Sequence, residues 1–172
     1  MTITARSAAL TGFVQTLKAL DAILDKTVEQ AATRKIQPEV LLQARLAPDM
    51  LPFSRQIQLA CDFAKNAAAR LAGGDNPKHP DDEKSFDELK ARIAKVLAFV
   101  EGIDEAAFEA GVDRDVTFPR GQNATMTMRG EAYLTRFAVP NFYFHATTAY
   151  AILRKNGIQI GKQDFLLGVL DS

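Results

Sequence analysis

The chain has 172 residues, 47% of them hydrophobic, with 21 basic and 21 acidic side chains and a single cysteine, Cys61. That length and apolar content predict one folded domain over residues 1–172 with a sizeable core, and argue against disorder. Balanced charge excludes the domain-wide basic footprint of a nucleic-acid binder, and one cysteine excludes an intramolecular disulfide or a cysteine-paired zinc site.

The N-terminal stretch MTITARSAALTGFVQTLKALDAIL is interrupted by Gln15, Lys18 and Asp21, so it does not read as a secretory signal. No window approaches the roughly 18 unbroken apolar residues of a membrane span. The expectation is a soluble, cytoplasmic protein with neither nucleic acid nor membrane as partner. Leu10, Phe13, Val14, Leu17, Leu20, Leu24 and Val28 recur at spacings of three and four. They predict one amphipathic helix from about Thr4 to Thr33, long enough to suggest a bundle. Pro38 and Pro48 interrupt the connection that follows, with a helical turn expected over 39–43.

A second helix is predicted from Pro52 to just before Gly73-Gly74, with apolar positions Phe53, Ile57, Leu59, Ala60, Cys61, Phe63, Ala64, Ala67, Ala68 and Leu71. The loop GGDNPKHPDDEK, rich in Gly, Pro and charge, reads as exposed and mobile. Ser85 and Glu88 form a capping box that opens a third helix with a stripe of Phe86, Leu89, Ile93, Val96, Leu97 and Val100. The pattern then changes to alternation in DVTF and ATMTM around the turn-rich PRGQN. It predicts a short hairpin with Val116, Phe118, Met126 and Met128 inward. A last helix runs from about Gly130 to Lys155, bent or broken by Pro140 and stopped at Asn156-Gly157. The tail IQIGKQDFLLGVL is apolar enough to dock, with Gly161 and Asp164 making a turn and Phe165 inserting into the core. The fold class is therefore all-α, a four-helix bundle with a short β-hairpin before its last helix.

Chemistry centres on His145, in VPNFYFHATTAYAILRKNG. A catalytic zinc wants three protein ligands, and a helix supplies two at i and i+4. Here i+4 is Ala149, i+3 is Thr148 and i−4 is Asn141; the other histidine, His79, lies in a loop. The residues thus predict no metal and no cofactor. At about 100° per residue, Asn141, His145 and Thr148 form a small polar group beside the apolar face of the last helix. Gln56 falls inside the apolar arc of the second helix, where a buried amide must find a hydrogen bond. A contact between Gln56 and His145 would satisfy both. Two readings stand side by side: a packed histidine with a satisfied ring, or a pocket-lining acid, base or donor. The candidate pocket comprises His145, Asn141, Gln56, Thr148 and Tyr150, with no catalytic residue assigned. Asp62 faces away from the core, toward solvent or a subunit interface. Cys61, on the apolar arc, is expected to be inert. No Gly-x-Ser-x-Gly elbow is present, and neither GGDNPK nor GIQIGKQDF completes a phosphate loop.

The segments LPFSRQIQLACDFAKNAAARLAGG, PNFYFHATTAYAILRKNG and GKQDFLLG, with the hairpin before the last helix, resemble the DinB/YfiT-like superfamily. The resemblance covers nearly the whole chain and is closer still to a bacterial branch classed as a domain of unknown function. It implies a left-handed or crossed bundle, commonly a homodimer. Many superfamily members hold a divalent metal with one histidine on the second helix and an H-x-x-x-H pair on the last, and some are thiol-dependent transferases or isomerases. In this chain His145 matches one of the pair, Ala149 stands at the other, and Gln56 or Gln58 is nearest to the third. The leading expectation is a DinB-like protein without the metal site that binds a small molecule in the remaining cleft. The alternatives are a metal-dependent thiol transferase and a non-enzymatic homodimer, the latter suggested by Leu59 and Phe63 widening the second helix's apolar arc.

Overall fold

The computed structural model describes residues 3–121 and 123–167. Thr4 caps α1 (Ala5–Thr33), its hydroxyl accepting from the Ser7 N–H while Ser7 returns a bond to the Thr4 backbone. A short α2 (Pro38–Leu42) follows, and α3 (Phe53–Ala72) starts after Pro52 and ends at Gly73, whose φ of 73° is the left-handed cap that glycine accepts without penalty. Ser85 and Glu88 close the predicted capping box at α4 (Phe86–Glu101). The four long helices are α1, α3, α4 and α7 (Val139–Lys155). Each of α1 and α3 packs against both α4 and α7, which makes the bundle.

α3 and α7 pack against each other and both bury small residues. Ala60, Ala64, Ala67 and Ala68 on one side, and Ala146 and Ala149 on the other, are fully buried. Short side chains at a helix contact let the axes approach, because interaxial distance follows side-chain size. Larger groups fill the remaining space: Phe13 of α1 lies 4.3 Å from Phe142 of α7, ring centre to ring centre, and Ile57, Leu89, Ile93 and Leu153 are fully buried.

Between α4 and the hairpin lies α5 (Glu105–Gly111), which the sequence reading left out; Asp104 caps it by accepting from the Ala107 N–H at 2.8 Å. Strands β1 (Asp115–Arg120) and β2 (Ala124–Arg129) pair antiparallel, Val116 opposite Met128 and Phe118 opposite Met126. Val116 and Phe118 are buried and the two methionines half-buried. The hairpin runs directly into α6 (Gly130–Tyr133) and a π-turn (Leu134–Ala138), so the helical run from Gly130 to Lys155 is distorted but unbroken. Pro140 cannot offer an N–H to the turn before it, and the widened turn immediately upstream absorbs that defect in place of a break.

Three expectations need correcting. The 73–85 loop is not simply free: Lys65 donates to the Pro77 carbonyl at 2.6 Å, Arg92 to the Pro80 carbonyl at 2.9 Å, and Gln58 to Glu83 at 2.7 Å. Asp62 does not simply face outward: it binds Arg92 at 2.8 Å with its side chain 23% exposed. Phe165, in α8 (Lys162–Phe165), is half-buried on the rim of the core against Tyr150. The tail docks as read as far as residue 167: Ile158 and Ile160 are buried, and Gln30 pairs reciprocally with the Gln159 backbone. Residues 168–172 lie outside the described part.

Candidate functional site

The contact between α3 and α7 is the centre of the site. Nδ1 of His145, on α7, lies 2.8 Å from Oε1 of Gln56, on α3. The other end of the Gln56 amide donates to the Leu51 carbonyl at 3.0 Å. A carbonyl only accepts, so it must face the NH2 end, and Oε1 must then receive a proton from the imidazole. Nδ1 therefore carries the hydrogen, and Nε2 carries the lone pair. Nε2 makes no hydrogen bond among the described residues, and it is not one of the atoms sealed from solvent without a partner.

Burial lowers the basicity of His145, and the nearby Arg55 guanidinium lowers it further. Both disfavour the cation, so the ring is held neutral near pH 7. Phe63 stacks on it, ring centres 5.5 Å apart and planes within 14°, and Phe144 meets it edge-on at 5.2 Å. Phe63 in turn touches Phe137. Phe144 is 56% exposed and Leu51 44%, so the imidazole lies just beneath an apolar stretch of surface.

The other residues of the sequence-derived pocket are engaged elsewhere. Asn141 donates to the Phe137 carbonyl and Thr148 to the Phe144 carbonyl, each at 2.7 Å and one turn back along α7. Polar side chains within a helix commonly satisfy themselves this way. Tyr150 lies round the helix from His145 and packs on Phe165 at 5.7 Å, lining a small cleft of about 140 Å³ with Thr147 and Lys162. That cleft is not lined by His145 or Gln56.

A metal fits this donor set poorly. Ala149, one turn beyond His145, is fully buried and offers no donor atom. Gln56 uses its oxygen on the histidine itself, and no group of three His, Cys, Asp or Glu side chains is close enough to hold an ion among the described residues. Cys61 is no substitute: burial pushes its thiol up to about 12, with Arg92 only partly opposing.

Sequence reasoning missed a second polar centre. Arg92 of α4 has its side chain 1% exposed and binds Asp62 at 2.8 Å, Glu83 at 2.9 Å and Asp81 at 3.0 Å. The signal was present, since Arg92 sits three residues after Leu89 and four before Val96, within the buried stripe. An arginine there demands carboxylates, and the Asp- and Glu-rich loop supplies them.

Four long helices, a hairpin feeding the last of them, and one imidazole facing an amide define a DinB-like helical bundle. The chain belongs to the family described as a domain of unknown function, DUF1993, whose model matches residues 7–166. It is similar to a DinB family member from Shewanella denitrificans known from its crystal structure, with 44% identity over 92% of this chain and 89% of that one and a TM-score of 0.84. None of the curated proteins matches. No helix among the described residues is long and apolar enough to cross a membrane.

Proposed function

We propose that this chain is a metal-independent DinB-like binding protein that takes a small molecule against His145. The observation that carries the reading is the Gln56 amide, which fixes the Nδ1–H form and leaves Nε2 as an unengaged acceptor. The complementary group is a hydroxyl, thiol or N–H donor on a flat ligand, which the Phe63 and Phe144 rings would flank. The ligand would lie against the exposed Phe144 and Leu51 side chains beside the ring. A metal-dependent thiol transferase would need two more donors than His145 brings.

The test is a thermal-shift screen of thiols and small hydroxylated metabolites, with the His145 imidazole followed by NMR. A compound that raises the melting temperature and moves that signal supports the reading. A full screen without such a compound overturns it, as does stoichiometric zinc, nickel or manganese in untagged protein that is lost in His145→Ala.

A second reading, a homodimer closing over the same face, is favoured by the exposure of Phe144 and Leu51 beside the site. Light scattering at micromolar concentration is expected to give twice the mass of one chain, and Phe144→Asp to halve it. A wild-type monomer removes this reading and leaves the first untouched.

A further inference from the structure

The 73–85 segment, GGDNPKHPDDEKS, contains no apolar side chain larger than proline. What it covers is polar: Gln58 and Lys65 of α3 and Arg92 of α4 are 2%, 5% and 2% exposed. Charged side chains are rarely buried so far without partners, and here the partners include Glu83 and the Pro77 and Pro80 carbonyls of this segment. A cover held by polar bonds over polar groups opens more cheaply than an apolar contact, because water replaces each bond and little apolar surface is exposed.

His79 sits inside this cover, two residues after one anchored carbonyl and one before the other. Its Nδ1 is buried without a hydrogen-bond partner among the described residues. A neutral ring tolerates that seat, since Nδ1 is then a bare lone pair and the single proton lies on Nε2, which is not sealed in this way. An imidazolium does not, because both nitrogens become donors and the sealed N–H lacks an acceptor. Around the ring stand Asp62 and Lys65 of α3, Glu88, Arg92 and Lys95 of α4, and Asp82, Glu83 and Lys84 of the segment itself. Glu83 is engaged by Arg92 and Gln58, Glu88 by the Lys84 and Ser85 N–H groups, and no carboxylate among the described residues accepts from Nδ1. Burial lowers the basicity of His79 most; Lys65 and Arg92 lower it further, Asp62 opposes them and Lys95 adds to the effect.

We propose that the 73–85 segment is a proton-released strap: His79 takes up a proton only when the segment lifts from the seam between α3 and α4, uncovering Gln58, Lys65 and Arg92. In the lifted segment the ring titrates near its ordinary value of about 6.5, and in the closed one below it. Between the two values the lifted form binds more protons, so falling pH favours it; above about pH 6.5 the ring adds nothing to opening. One such proton raises the lifted-to-closed ratio by at most about tenfold between about pH 7.5 and about pH 5.5, a window above ordinary carboxylate titrations. The strap is independent of the His145 reading.

Trypsin reads the opening at Lys78 and Lys84, which are exposed, since cleavage follows the population of the open form when reclosing is fast. Rates on the full chain are divided at each pH by those on a synthetic peptide of residues 73–90, which removes the enzyme's own pH dependence. From about pH 7.5 to about pH 5.5 this ratio is expected to rise about three- to tenfold in wild type, with no matching rise at sites within α1, α3 or α7. In His79→Gln, whose amide takes no proton, it is expected to stay within about twofold. A flat ratio in wild type overturns the proposal. So does an undiminished rise in His79→Gln, or an equal rise at sites inside the helices.

Discussion

A carboxamide has one donor end and one acceptor end, and at Gln56 the donor end is committed to the Leu51 carbonyl. His145 must therefore offer a proton at Nδ1, and a charged ring would add a second N–H at Nε2 that finds no acceptor among the described residues. Its lowered pKa has a consequence for stability. An unfolded histidine titrates near pH 6.5, and both His145 and His79 titrate below that when folded. Between the two values the unfolded chain binds more protons, so their contribution is complete above about pH 6.5 and is lost as pH falls through the folded values. Urea midpoints are expected to drop from about pH 7.5 to about pH 5, a range above most carboxylate titrations, and to drop less in His145→Phe. An identical drop in the variant would show that the ring is not held neutral. The Gln56 contact was legible in the sequence because an amide inside an apolar arc has few ways to be satisfied. Tyr150 was misplaced because five residues carry a side chain roughly 140° round a helix, away from His145.

At the scale of elements, local chemistry that repeats within a few residues was readable, and long-range close approach was not. The Ser85/Glu88 box and the glycines at 73 and 157 bound their helices as their types require, with Gly157 at a φ of 81°. α5 escaped notice because seven residues carry too little periodicity to register. Nothing in the sequence marks Gly111 as the point where α5 touches the end of α3. A Cβ built there would lie 1.9 Å from the Leu71 carbonyl oxygen, and one on Gly130 would lie 2.0 Å from the Gly111 carbonyl oxygen. Both neighbours are backbone and cannot turn aside. Gly12 offers the contrast, because its added Cβ meets only the Tyr143 hydroxyl at 2.5 Å, the end of a side chain 36% exposed that can swing outward. Gly111→Ala is expected to cost about 3 kcal/mol in urea unfolding. Gly12→Ala should stay within about 1 kcal/mol of wild type, helped by alanine's better helix propensity inside α1. Equal costs at the two sites would refute this account of how α5 and the hairpin are seated.

Across the whole molecule, one buried arginine does what the apolar core does not: it ties the long loop to two helices. Arg92 of α4 reaches Asp62 of α3 and Asp81, Glu83 and the Pro80 carbonyl of the loop, while Arg55 and Lys65 of α3 add their own bonds to Asp81 and the Pro77 carbonyl. Composition alone suggested a mobile segment, since loops rich in Gly, Pro and charge usually are; the deciding partner sits in a helix and is invisible from the loop. Removing one member of such a buried cluster strands the others. Because Asp62 and Asp81 are 23% and 38% exposed, water recovers part of their solvation, so the cost of Arg92→Ala belongs at the low end of the buried-pair range, about 3 kcal/mol. The variant also makes a local prediction. Trypsin is expected to cut wild type slowly at Lys78 and Lys84, and Arg92→Ala rapidly at both, before any cleavage within α1, α3, α4 or α7. Lys65→Met, which removes the Pro77 bond and the longer 3.6 Å pair with Asp62 but leaves Arg92 in place, should give an intermediate rate with a smaller loss of melting temperature, and it serves where Arg92→Ala does not fold. If loop cleavage in both variants matches wild type, the loop is held by its own conformation and the arginine is a passenger.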